Sequence, residues 1–416
     1  MIRKIRYEAG DREGWLKLRN SMDDCLGGSE IGAAANNSQY SSFFKLLCQR
    51  VGLIETPDIS GKMAVKLGVY NEPFVAQEFA RVSGKKVHCE NCVFVNDDFP
   101  HLKATIDRKI ANEDSGLECK FMSDMVMRKY KRGDFPVAYK DQCTSYLAVT
   151  NFSRWYLAIV TNNRLFVFLM TRIKEEEERF LALRAKFGFT ADETDPDYEE
   201  WKTKWSYLES VYYLDEEEME AAEIVAAHFI KCVEEVKSYM EGREFRNDEE
   251  RKAFLMNAVY QVVDPADIDG GEATTDTIAA TVPPRGKDAP PEVDINPESE
   301  DGRAFSELIA ERNGYAEALK DLNAKVKAAK EAISEFDNKI AFRIAGRFES
   351  GLIGDWRLDY KFGSSRRTCS VEAVEKYFTS KGEAVPDGMI NVSTPSRSVK
   401  VTLRAKKACK PHRKAA

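Results

Sequence analysis

The sequence predicts an α/β fold, a mixed sheet flanked by helices, followed by a long helix with a small β element. Three observations carry that expectation. Apolar spacing is helical up to about Ala80, then changes to short β-like runs between Cys92 and Phe121 and again between Trp155 and Met170. It returns to charged, helical spacing from Lys174 to Glu241. Far beyond, Tyr315, Leu319, Leu322, Val326, Ala329, Ile333, Phe336 and Ile340 alternate spacings of four and three, a heptad stripe flanked by Glu and Lys.

In chain order, Gly27-Gly28-Ser29-Glu30-Ile31-Gly32 reads as a small-residue turn opening a helix. Phe74, Val75, Phe79 and Val82 mark a helix that ends at Gly84. Cys92 to Val95, Leu102 to Ile110 and Gly116 to Phe121 read as strands, bounded by Asn, Asp, Gly and Pro. A helix is expected from Val137 to Val149, then a hairpin made of Trp155 to Val160, a turn at Asn162-Asn163, and Leu165 to Met170. The charged stretch 174–217 is expected to be a helical insertion that shapes a channel to the site. Val225, Phe229, Val233, Val236 and Met240 lie on one face of the helix that follows. Residues 263–302, rich in Pro, Gly, Asp and Thr, read as a linker. The organisation is therefore a domain at 1–262, a linker at 263–302, and a helical and β region at 303–416 that ends in a basic tail.

The chain has 416 residues, 43% of them hydrophobic and 31% charged, which suits a globular protein with one large core domain and additions. No run of about 18 apolar residues occurs, so no membrane span is expected. The basic start, Met1 to Arg6, is not followed by an apolar stretch of the secretory kind, and a cytoplasmic protein is expected. Nine cysteines, an odd number spread thinly, point to reduced thiols. A net charge of −7 excludes a protein that coats nucleic acid indiscriminately. It leaves a DNA enzyme open, because carboxylates that hold metal ions are acidic by design.

The chemistry concentrates in Thr105-Ile106-Asp107 and Leu117-Glu118-Cys119-Lys120. Glu118 and Lys120 are two apart on a predicted strand, so they leave the same face. Asp107 ends the preceding strand at hairpin distance. Two carboxylates and an ammonium thus meet at one point, a donor set suited to Mg²⁺, which binds through one or two carboxylates and keeps waters. Such an ion polarises a phosphodiester and activates water, while Lys120 orients that water or stabilises developing charge. Glu72, on the preceding helix, is a candidate further ligand. Gln142, one helix later, positions the nucleophile or a phosphate. Taken alone the triplet is common in charged proteins. The order of elements makes it specific: a helix with Glu72, an Asp-ending strand, a Glu-x-Lys strand, a helix with Gln142, and another strand. That order is the αβββαβ, restriction-endonuclease-like core of PD-(D/E)xK nucleases.

The chain also resembles the YqaJ-type viral recombinases, which include lambda-type phage exonucleases. The resemblance runs through Trp15-Leu16-x-x-Arg19, Gly28-Ser29-Glu30-Ile31-Gly32, and Gly68-Val69-Tyr70-Asn71-Glu72-Pro73. It continues through the Asp107 and Glu118-x-Lys120 motifs to Pro136-x-x-Tyr139-x-x-Gln142-x-x-x-Tyr146. It implies metal-site carboxylates at Glu72, Asp107 and Glu118, with Mg²⁺ as the ion and Mn²⁺ as a substitute, and a catalytic lysine at Lys120. It implies Arg19 and Ser29 near a 5′-phosphate, and Thr105 and Gln142 at the scissile region. The alternatives are a surface ion pair for Arg19 and a plain helix cap for Ser29. It further implies resection of the 5′ strand at duplex DNA ends for phage-type recombination, a ring-shaped homotrimer, and a single-strand annealing protein as partner. Two departures stand out: Ile106 and Arg108 flank the first Asp, where the family usually has Pro and Gly. Rival readings are an endonuclease or nickase with the same metal site, and a catalytically silent DNA-binding assembly protein.

Three features lie outside that core. Cys89 and Cys92 have the spacing of half a metal site, but no second pair completes it, so both are expected to be structural. Arg128, Lys129, Lys131 and Arg132 follow the Glu-x-Lys strand and are expected to contact phosphates. The heptad stripe must be covered by its own chain, by a second copy or by a partner, because exposing each large side chain costs about 1.5–3 kcal/mol.

Overall fold

The computed structural model describes residues 1–8, 10–131, 133–188, 192–281 and 295–344, and the strand segments 350–353, 356–362, 367–369, 390–392 and 397–403. The chain divides into two compact units, Met1–Lys287 and Asp288–Ala416. Among the described residues no helix is long and apolar enough to cross a membrane.

The first unit opens with strand β1 (Ile2–Arg6), paired antiparallel with β4 below. Helix α1 (Arg12–Asn20) follows, its N-terminus capped by the Asp11 carboxylate, which accepts the Gly14 N–H. Then come β2 (Leu26–Gly27), α2 (Gly28–Ala34), α3 (Phe43–Arg50) and the long α4 (Met63–Ser83). Gly84 ends α4 in the left-handed conformation, at a φ of 69°. Strands β3 (Val87–His88), β4 (Cys92–Asn96), β5 (Phe99–Ala104), β6 (Arg108–Ile110) and β7 (Ser115–Phe121) lead to the short α5 (Asp124–Met127) and to α6 (Val137–Thr150). The hairpin expected at 155–170 forms as β8 (Arg154–Val160) and β9 (Leu165–Thr171).

Two sheets result, one ordered β1-β4-β5-β2 and the other ending β8-β7-β6-β3. The expected single strand from Leu102 to Ile110 is instead a bent run. Its first half, β5, pairs with β4, and its second half, β6, pairs antiparallel with β7 in the other sheet. Residues 105–107 make the step between sheets. Strand β7 lies parallel to β8, and α6 crosses between them. The order α4, β4, bent β5–β6, β7, α6, β8 is the αβββαβ restriction-endonuclease-like core. Strand β8 is buried almost throughout, as a strand covered on both faces must be.

The charged stretch 174–217, expected to be a helical insertion, is helical in part and adds a strand. It forms α7 (Lys174–Phe187), α8 (Tyr198–Glu200), a π-helical turn at Trp201–Trp205, and strand β10 (Ser210–Tyr213), which adds parallel to β9. Phe180, Leu183, Phe187, Trp205 and Leu208 pack on the sheet with Tyr156 and Leu169. Its charges stay at the rim, where Arg179 pairs with Asp197 and Glu200. The sequence showed the charges; the apolar residues beneath them are too widely spaced to give a clear period. Helices α9 (Glu216–Met240) and α10 (Asp248–Val262) close the main core, with Phe229, Val233 and Val236 inside, as their spacing predicted.

The expected linker is folded over its first part. A 3₁₀ turn at Pro265–Asp267 leads to α11 (Glu272–Thr281), in which Thr274, Thr277 and Thr281 are the buried residues. Thr274 donates to Ser42 Oγ at the start of α3 at 2.7 Å. A helix whose buried face is threonine has no apolar period to read. Residues 282–294 lie outside the described residues.

The second unit begins with a 45-residue helix, α12 (Glu300–Ile344). Strands β11 (Ser350–Ile353), β12 (Trp356–Phe362), β13 (Arg367–Cys369), β14 (Ile390–Val392) and β15 (Arg397–Leu403) follow. The expected strand at Trp356 to Phe362 is present, flanked antiparallel by β11 and β15. The basic tail expected from Ser396 is therefore in part a strand, and residues 404–416 lie outside the described residues. The heptad side chains from Tyr315 to Phe336 are all exposed, with Leu322 58% and Ile333 61% accessible.

Candidate active site

Strand β7 places Glu118 and Lys120 on one face, as their spacing predicts, and Lys120 Nζ lies 2.6 Å from Glu118 Oε1. Asp107 sits at the step between β5 and β6. Its Oδ2 accepts the Cys119 N–H at 2.8 Å, which fixes the carboxylate against the same stretch of β7. The convergence expected of Asp107, Glu118 and Lys120 is therefore met. It depends on the bend between two sheets rather than on the end of a plain hairpin.

Glu118 is 3% exposed, and Gln142, one helix later, is 5% exposed. Gln142 Nε2 donates to Glu118 Oε1 at 2.8 Å and to the Tyr146 hydroxyl oxygen at 2.7 Å. Helix α6 carries this pair into the interior. Its buried Ser145 and Thr150 donate to their own helix, at Gln142 O and Tyr146 O. The Tyr146 ring in turn lies tilted, 4.9 Å from the Trp155 ring, which fits because residue 116, opposite Trp155 on β7, is glycine. A Cβ at Gly116 would stand 2.4 Å from that ring. Lys120 Nζ also lies 5.0 Å from the Tyr139 ring centroid, a cation–π contact from the first turn of α6.

Burial, then the charge of Glu118, push the Asp107 carboxyl well above the ordinary carboxylate range, against the opposing pull of Lys120. Burial alone would lower Lys120, but Glu118 and Asp107 outweigh it and hold the ammonium above its usual value. Tyr146 is raised by burial first and then by the two carboxylates, so it stays a neutral phenol.

Glu72 lies on α4, one residue before Pro73, whose missing N–H interrupts the helical ladder at that turn. The structure brings Glu72 to Arg108, whose Nη1 donates to Glu72 Oε1 at 2.6 Å. The expectation of Glu72 as a further ligand thus meets a cation already in place. Thr105 lies on the step beside Asp107 and is partly buried. Ser29 is exposed in the first turn of α2. That turn is pressed on the site's own helix: a Cβ at Gly28 would stand 2.4 Å from the Tyr146 ring, and one at Gly32 would stand 2.7 Å from Ala138 Cβ. Arg19 belongs to α1, but its side chain lies outside the described residues, as does Arg132 altogether.

Arg128 and Lys131 line a 420 Å³ groove with Tyr130, Asn163, Arg164 and Phe166, between the α5 loop and the β8–β9 turn. Lys129 follows Arg128 on the same loop and is exposed. Arg164 was not anticipated. It lies 4.5 Å over the Phe166 ring and pairs with Glu209 at 2.6 Å, and as a lone Arg at a hairpin turn it carries no sequence signal. Tyr139 and Tyr146 were legible only as part of the spacing around Gln142. Cys92 is fully buried on β4 and Cys89 is exposed, which bears on them as separate residues rather than as a pair.

Among the described residues no three His, Cys, Asp or Glu side chains form a ready cation cage. Two carboxylates suffice for Mg²⁺, which takes the rest of its shell from water. One observation favours such an ion. Glu118 Oε2 is buried without a hydrogen-bond partner, while Oε1 is held by Lys120 and Gln142. A buried, unbonded carboxylate oxygen is costly unless a cation meets it.

Residues 14–153 match the family model of the YqaJ-like viral recombinase domain. The uncharacterized protein YqaJ of Bacillus subtilis (strain 168) is 26% identical over 184 residues, 44% of this chain and 56% of its own. The chain thus spans just over half the length of that relative. Among solved structures, an alkaline exonuclease from Laribacter hongkongensis, LHK-Exo, aligns with 55% of this chain and 99% of its own at 14% identity, with a TM-score of 0.34. LHK-Exo in complex with dAMP aligns with 55% of this chain and 96% of its own, also at 14% identity, with a TM-score of 0.37. The family match contains Glu72, Asp107, Glu118, Lys120 and Gln142.

Proposed function

We propose that this chain, whose residues 14–153 match the YqaJ-like viral recombinase domain, is a metal-dependent exonuclease that resects linear duplex DNA ends. The observation that carries the reading is the convergence of Asp107, Glu118 and Lys120 on one stretch of β7, where the second oxygen of the buried Glu118 has no hydrogen bond. Asp107 and Glu118 would hold one Mg²⁺, with Mn²⁺ as a substitute. When bound, that ion supplies Lewis-acid polarisation of the phosphodiester and a more acidic water. Lys120 provides a fixed positive charge where negative charge develops on the phosphate, and its contacts with Glu118 and Tyr139 keep it there. Gln142 holds Glu118 at one oxygen, and the other would be available to hold the ion.

Removal of the 5′-ended strand is the finer part of the proposal. It is supported by the position of Ser29, on a helix turn packed against Tyr146, which is one hydrogen bond from Gln142. With Arg19 it would receive the 5′-phosphate. Arg128, Lys129, Lys131 and Arg132 would hold the phosphates of the duplex, and Thr105 the scissile region. The product, a 3′ overhang, suits recombination through a single-strand annealing protein.

Linear, nicked and closed circular duplexes, incubated with and without Mg²⁺ and resolved on a gel, test the reading. Linear duplex should be degraded only with the ion, and a 5′-phosphorylated end faster than a 5′-hydroxyl end. Closed circles cut as fast as linear duplex would replace the exonuclease with an endonuclease.

A further inference from the structure

Arg108 stands immediately after Asp107, as the first residue of β6. Its Nη1 donates both to Glu72 Oε1 and to the Asp107 carbonyl oxygen, each at 2.6 Å. The side chain is 12% exposed, against 34% for that of Glu72. The guanidinium is therefore anchored at the backbone of one acidic residue and bonded to the carboxylate of another, a charge-assisted geometry with little freedom to swing away.

We infer that Arg108 takes the place of a second metal ion, so that this site binds one divalent cation rather than two. The inference rests on the nuclease reading above and specifies the metal content of the same site. Three carboxylates, Glu72, Asp107 and Glu118, face two fixed cations, Lys120 and Arg108. With Asp107 ionised, as metal binding requires, the surplus is one negative charge. A single divalent ion reverses it to one positive charge, which a single phosphodiester neutralises. A second divalent ion would leave two further positive charges unmatched in a largely buried site, where unpaired charge is expensive.

The ligand geometry agrees with the charge count. Glu118 Oε1 is held by Lys120 and Gln142, and Asp107 Oδ2 by the Cys119 N–H. One oxygen remains on each of these two carboxylates, enough for one Mg²⁺ completed by water. Glu72 is engaged by the neighbouring guanidinium. To serve a second ion it would have to give up a charge-assisted bond and leave Arg108 buried without its anion.

The test counts ions rather than turnover. The full-length protein is titrated with Mn²⁺ alone, with free ion followed by electron paramagnetic resonance and folding by circular dichroism. The wild type should bind one Mn²⁺ per chain, and Glu118→Gln should abolish that binding. Arg108→Ala should raise the count from one to two by releasing Glu72. Arg108→Gln, which keeps a polar side chain of similar reach, should do the same if the alanine variant does not fold. Glu72→Gln should leave the count at one. Two ions on the wild type would overturn the inference, as would one ion on a folded Arg108 variant. If the wild type binds no Mn²⁺ that Glu118→Gln removes, the metal-site reading itself fails, and this inference falls with it.

Discussion

Glu118 is buried and holds one bonded and one unbonded oxygen, and its neighbours explain how that is tolerated. Lys120 and Gln142 share Oε1, while Oε2 has no hydrogen-bond partner. If that oxygen and Asp107 hold the metal, Glu118→Gln and Asp107→Asn should each lower cleavage by about 10²–10³-fold or more while leaving duplex binding largely intact. Lys120→Ala should cost about 10²-fold, mainly in kcat. Single-turnover cleavage and a DNA-binding titration check both; near wild-type cutting by either carboxylate variant would sink the assignment. A pH dependence belongs here too. Asp107 is raised by burial and then by Glu118, so in the metal-free protein the protonated form is favoured. Its contribution to stability is therefore fully present below the unfolded value of about 3.9 and is lost as pH rises through the raised folded value. Mg²⁺ needs the ionised form. The Mg²⁺ concentration for half-maximal cleavage should fall as pH rises through that window, and metal-free Asp107→Asn should lose the corresponding slope of melting temperature against pH. A half-saturating concentration that is flat with pH would contradict this account of Asp107.

Helix α6 brings Gln142, Tyr139 and Tyr146 against the carboxylates and lysine of the candidate site, and its crossing with α2 is close. Gly32 faces Ala138, where a Cβ would meet the Ala138 Cβ at 2.7 Å and its Cα at 2.9 Å. Gly32→Ala should therefore force the helices apart and cost about 1–3 kcal/mol in urea unfolding. It should also slow cleavage by shifting Gln142. Wild-type stability in that variant would mean the crossing has slack. The same elements show what the sequence revealed and why. Glu118 and Lys120 were legible because a strand has period two, and Gln142 because its helix lies between two obvious strands. The Gly28 to Gly32 motif was legible as a turn, but its role as the contact face for Tyr146 and Ala138 needed the fold. Asp107 was recognisable as a residue, yet the step it occupies depends on strand pairing far along the chain. Helix α4 was read with Glu72 and the apolar stripe from Phe74 on it, but its start at Met63 was not, because Pro73 interrupts the pattern. Strand β1 was missed because an edge strand with little buried surface has no apolar period. The pairing of Glu72 with Arg108 had no sequence signal at all, since the partners are 36 residues apart on different elements.

At the scale of the molecule, the candidate site lies within Met1–Lys287 and the heptad helix within Asp288–Ala416. The stripe is open to solvent along its described length. Tyr315, Leu319, Leu322, Val326, Ile333 and Phe336 are all between 44% and 72% exposed. With Leu319, Val326 and Ile333 at one heptad position and Leu322 and Phe336 at the other, the seam fits another helix better than a flat surface. Its large side chains would each gain about 1.5–3 kcal/mol on burial, more than enough to hold such a helix after the entropy of association. A second copy of this chain is the occupant always present in solution, so the expected state is an oligomer built through α12. Replacing Leu322 and Ile333 together with Asp sets charges into that seam and should reduce the mass measured by light scattering to that of one chain, 47.2 kDa. The melting of the unit Met1–Lys287 should be unchanged, because its buried clusters are built from its own residues. Cleavage of short duplexes should persist, while long duplexes should be released after fewer cuts, since the second copy no longer helps to retain them. A doubly substituted protein of unchanged mass would show that the copies meet elsewhere. A wild type that already runs as one chain would leave the seam to a different protein.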